Sequence, residues 1–169
     1  MSFIGILSES KVFENIKSKL VELADLNKFN IIWINSKSIE NVKNIRFEVI
    51  IIDSDLNKLE NKKEIIKMLT KKSRYVLINT DINKITNEFE EKKLITYGLN
   101  QKALITVSSI TESDILIFIQ KNMKTKQNKI IEIEEKRLKL SERCKLKTYE
   151  ILILYTIFLL YNDTIIEEI

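Results

Sequence analysis

Four short runs of β-branched and aromatic residues constrain this chain more than anything else in it. They lie at 3–7 (FIGIL), 30–34 (NIIWI), 49–52 (VIII) and 75–78 (YVLI), each four or five residues long. That is the length of a strand and too short for a helix. The run VIII has no polar residue on either side of the pleat, the pattern of a strand covered on both faces. Between the first two runs, Phe13, Ile16, Leu20 and Leu23 recur at three- and four-residue spacing. This predicts an amphipathic helix ending near Asn27, with Ser8 and Ser10 as candidate caps. A second helix is expected over 60–72, with Ile65, Ile66 and Leu69 on one face. Strands that alternate with helices imply a parallel sheet with helical crossovers, because a tight turn cannot join parallel neighbours.

The pattern changes after residue 80. A short acidic helix is expected next, with Ile85 and Phe89 inward and Glu88, Glu90 and Glu91 outward. The run 94–97 (LITY) and Gly98 follow, then strand-like runs at 103–110, 114–120 and 129–134. Their polar connections are short, which predicts antiparallel pairing. Residues 151–161 (ILILYTIFLLY) are apolar at nearly every helical angle. Eleven residues of helix span roughly 16 Å, about half a bilayer core. A buried helix is the preferred reading, and a subunit interface or a membrane-touching helix are the competing ones. No repeat or linker marks a boundary. The expectation is one α/β domain over 1–169, a parallel sheet with helical crossovers, a small antiparallel subsheet and a buried C-terminal helix.

Composition narrows the chemistry. The 169 residues contain no His and one Cys, Cys144. This excludes a Ser-His-Asp triad, a Cys-His pair, an imidazole-ligated metal and a disulfide framework. There are two glycines, Gly5 and Gly98, and no proline, so no Gly-rich phosphate loop is present. Gly98 sits at a strand–loop junction, which predicts a positive φ or a close approach there. Basic residues number 28 against 24 acidic ones, for a net charge of +4. Only Arg46, Arg74, Arg137 and Arg143 are arginines. The densest basic stretch, 121–147, is interrupted by Glu132, Glu134, Glu135 and Glu142. It reads as a solvated surface, with nucleic-acid contact the lesser alternative. The start, MSFIGILSESK, has neither a basic leader nor an apolar run long enough for a signal peptide. A cytoplasmic chain is expected, with no nucleic acid and no membrane among its partners.

Doubly wound sheets bind ligands outside the carboxyl ends of their strands. The residues placed there are Ser8 and Glu9, Asn35 and Ser36, Asp53 and Asp55, and Asn79, Thr80 and Asp81. Carboxylates at such a rim suit Mg²⁺. Polar residues also simply end strands and cap helices, and that is the plainer reading. A receiver-domain pattern would set Glu9, Asp53 and Thr80 as acidic pocket, phospho-acceptor and switch hydroxyl, although Ser8 replaces one acid of the usual pair.

The segment from Tyr75 reads YVLINTD and is followed by LITYGLNQKALITVSSI. It resembles the central, ATPase domain of the Mur ligases, as does the order of elements over about 48–169. The terminal YEILILYTIFLLYNDTIIEEI resembles that domain's late helix and the segment after it. The resemblance implies cofactor contacts at Asn79, Asp81, Tyr97 and Gly98. The turn IGILSESKVFEN lacks the family's phosphate-loop glycines and its Lys-Thr pair. Ile82 stands in place of a second acid, and Leu146, Lys147 and Glu150 do not keep the family's adenine-contacting amides. The resemblance therefore implies a non-catalytic relative with no cofactor, acting as a scaffold or regulator on a protein partner, with a second copy of the chain also open. The runner-up is a weak nucleotide-binding or ligase-type protein completed by a partner.

Overall fold

Strand β1 (Ser2–Leu7) takes its place because its run is mostly apolar and buried from Ile4 onward. The computed structural model describes residues 2–23, 29–85, 89, 94–161 and 167–169. The chain groups into two compact units, Met1–Ile95 and Thr96–Ile169, and each is taken in turn. In the first, β1 leads into helix α1 (Ser10–Leu23), which buries Phe13, Ile16 and Leu20. The expected end of this helix near Asn27 lies outside the described residues. Strand β2 (Phe29–Ile34), β3 (Val49–Ile52), helix α2 (Lys63–Lys72) and β4 (Tyr75–Asn79) follow. All strand pairs here are parallel, in the order β2-β1-β3-β4. VIII is buried at every residue, as its composition requires.

Two of the three crossovers are helical. Between β2 and β3 the chain instead makes successive turns over 36–44 that bury Ile39 and Val42. Asn35 starts these turns, its Oδ1 accepting the backbone N–H groups of Lys37 (2.8 Å) and Ser38 (2.9 Å). Ahead of α2, the residues Leu56–Lys62 form a 3₁₀ stretch with a kink at Leu59, so the α-helix begins three residues later than expected.

The boundary between the units falls within β5 (Leu94–Tyr97), and in the second unit Tyr97 of this strand pairs in parallel with Ile105 of β6 (Ile105–Ile110). Strand β7 (Asp114–Ile119) is antiparallel to β6, and β10 (Glu134–Lys139) is antiparallel to β7. The third antiparallel strand is thus Glu134–Lys139, not 129–134. The expected run is divided: Ile130–Ile131 (β9) pairs with Met123–Lys124 (β8) in a separate two-stranded hairpin. Its tip holds Asn128 at φ 63, an angle Asn tolerates. Strand β10 carries five charges and buries Leu138, a composition that protects an edge strand from pairing with other chains. It also accounts for part of the basic stretch, whose charges there stand on exposed or half-buried positions and include the Lys136–Glu134 ion pair (3.0 Å).

Helix α3 (Thr148–Tyr161) closes this unit, buried along all of its length except Leu159 and the first two residues. Its start carries one half of a capping box: Glu150, 1% exposed, accepts the backbone N–H of Lys147 at 2.8 Å. In its middle, the Thr156 hydroxyl donates to the carbonyl of Leu152 (2.7 Å). Residues 167–169 lie beside β10, with Lys139 N–H donating to Glu167 and Ile169 N–H to Lys139 (both 2.9 Å). Among the described residues no helix is long and apolar enough to cross a membrane.

Candidate functional site

The carboxyl ends of β1, β3 and β4 form the rim where parallel α/β sheets place their ligands. Each rim residue is set by the strand before it. The backbone N–H of Asp53 donates to the carbonyl of Leu7 (2.9 Å), which extends the β1–β3 ladder past the last strand residue. Ser8 is buried, and its hydroxyl donates to the carbonyl of Glu9 (3.0 Å). The Trp33 indole N–H donates to the carbonyl of Ser8 (3.0 Å), and its ring stacks on Phe13 with centroids 6.0 Å apart. This turn is held by side chains, not by glycines.

Asn79 ends β4, buried, and is used on both sides. Its Nδ2 donates to Asp53 Oδ1 (3.0 Å) and its Oδ1 accepts the backbone N–H of Asp81 (3.0 Å). Asp55 accepts the backbone N–H of Asn57 (3.0 Å), and its carbonyl accepts that of Lys58 (3.1 Å). These are local turns that start the 3₁₀ stretch. Glu9 and Ser36 are exposed. Among the described residues, no three His, Cys, Asp or Glu side chains come together as a metal site would need.

Asn83 is the rim residue that sequence reasoning missed. It is 5% exposed. Its Oδ1 accepts the backbone N–H of Leu56 (2.9 Å), and its Nδ2 donates to the carbonyls of Ser54 (3.1 Å) and Asn79 (3.2 Å). One amide thus ties the loop after β3 to the turn after β4. The run NTDIN signals a turn, but nothing in it singles out which Asn or Asp is the clamp.

The four residues assigned by resemblance fall in different units. Asn79 and Asp81 belong to the first, Tyr97 and Gly98 to the second. Tyr97 ends β5 and is fully buried. Gly98 does not have a positive φ, contrary to one of the two forms of the expectation, and its N–H donates to the carbonyl of Ile105 (3.2 Å), continuing the strand pairing. The close approach lies at Gly5, where an added Cβ would come within 2.8 Å of Ile34 Cδ1 and 2.9 Å of Phe47 Cε1. Ile85, expected inward, is 44% exposed, whereas Phe89 packs against the core of the first unit. Glu88, Glu90 and Glu91 lie outside the described residues. A comparison with protein-family models and with the curated proteins finds no match.

Proposed function

We propose that this chain is a non-catalytic α/β protein, similar in layout to the Mur ligase central domain, that acts as a scaffold or regulator through a protein partner. The resemblance implies a setting in or near cell-wall synthesis. The observation that supports the reading is the state of the rim. Its Asn side chains close loops: Asn79 holds Asp53 and the turn to Asp81, and Asn83 holds the loops after β3 and β4. A triphosphate needs backbone donors and a lysine beside the first strand. The residues after Leu7 are Ser8, Glu9, Ser10, Lys11 and Val12, with no glycine among them and no Ser or Thr after the lysine. The Ser8 hydroxyl is turned onto the adjacent backbone. Calorimetric titration with Mg-ATP tests this, and no binding at micromolar concentration is expected. Micromolar affinity would overturn the reading in favour of a nucleotide-binding protein.

A further inference from the structure

A cavity of about 300 Å³ opens in the first unit between α2 and the segment that follows β4. Ile66 and Thr70 of α2, both buried, contribute to its lining, together with Leu56 and Phe89. Lys63, Lys67 and Lys84, all exposed, also line it, the first two from α2 and the third from the segment after β4. Among the described residues that line it there is no carboxylate. We propose that this cavity binds a small anion with a compact apolar body, a ring-sized group bearing one carboxylate or phosphate.

Three properties of the site carry the inference. The first is sign and polarity together. The Asn83 amide is committed to Leu56, Ser54 and Asn79, so it builds a wall and leaves recognition to the ammonium groups and the apolar surface. The second is position. Leu56 and Asn83 come from the loops after β3 and β4, the end of a parallel sheet at which ligands are bound. The third is rigidity. The Asn83 clamp holds both loops in place before any ligand arrives, which lowers the ordering cost of binding. The volume lies at the small end of the range for ligand pockets and suits one or two fused rings, not a nucleotide. The cavity shares Asn83 with the rim but is not lined by Ser8, Asp53 or Asn79, and its occupancy does not depend on whether Mg-ATP binds.

The test uses three probes of one shape: 1-naphthyl phosphate, 1-naphthoate and neutral 1-naphthol, titrated into the full chain by calorimetry and saturation-transfer NMR. The anions are expected to bind about tenfold more tightly than 1-naphthol, given the worth of paired charges at a partly exposed site. Lys67→Glu with Lys84→Glu should weaken the anions about tenfold and leave 1-naphthol unchanged, with thermal unfolding reporting that the variant is folded. The stronger of the two anions identifies the head group as phosphate or carboxylate. Equal binding of 1-naphthol and the anions would overturn the proposal. So would an unaltered anion affinity in the double variant, or no binding of any probe at about 1 mM.

Discussion

Replacing Asn83 with alanine removes three side-chain hydrogen bonds at once, those to Leu56, Ser54 and Asn79. A net hydrogen bond contributes about 0.5–1.5 kcal/mol, and a buried partner left without one costs more. Ser54 and Leu56 are half-buried, so water replaces part of what is lost there. The expected cost is about 2 kcal/mol, which for a chain of this length lowers Tm by roughly 4–8 °C. Urea unfolding measures the first number, and amide hydrogen exchange at Leu56 reports whether its N–H has lost protection. Asn83→Asp sharpens the argument, because it keeps the shape and the acceptor for Leu56. Its second oxygen would face the carbonyls of Ser54 and Asn79, where the native amide donates. That repulsion raises the carboxyl pKa in the folded chain above its unfolded value. The aspartate variant should therefore lose stability relative to the native chain as pH rises from about 4 to about 7. A change below about 0.5 kcal/mol in Asn83→Ala, with Leu56 still protected, would refute the role of this amide as a clamp.

Two further outcomes follow from the packing. Gly5→Ala sets a methyl group against Ile34 and Phe47, both fully buried, and should destabilise by about 1–2 kcal/mol, overpacking outweighing the gain in strand propensity. An equal or higher midpoint in urea would show that the two side chains move aside freely. Tyr155 has its pKa pushed up to about 12, first by burial and then by the Glu134 carboxylate. The folded chain holds this proton more tightly than the unfolded one, so stability falls as pH rises from about 10 to about 12. Tyr155→Phe should flatten that decline, and parallel Tm curves over this range would exclude Tyr155 as its source.

The elements that the amino-acid sequence determined by itself are those whose signal is local. VIII and YVLI carry apolar side chains on both faces of a pleat, and a chain buries such a strand on both sides whatever else it does. ILILYTIFLLY has no polar stripe, so its helix is enclosed on all sides. Strand β10 was not legible, because EEKRLK pairs through its backbone with β7 and needs only Leu138 inside. Side-chain pattern carries no trace of a hydrogen bond made by the main chain. The same holds for the two glycines. Gly98 has the sequence context of a special backbone angle and does not adopt one, whereas Gly5 looks like an interruption in a strand and is the crowded position. What crowds it are Ile34 and Phe47, brought over β1 only when β2 and the approach to β3 fold beside it. Asn83 is likewise one turn residue among several until the ends of β3 and β4 lie side by side. Its amide then spans them, because the distance between two loops is a property of the packed sheet and not of either segment.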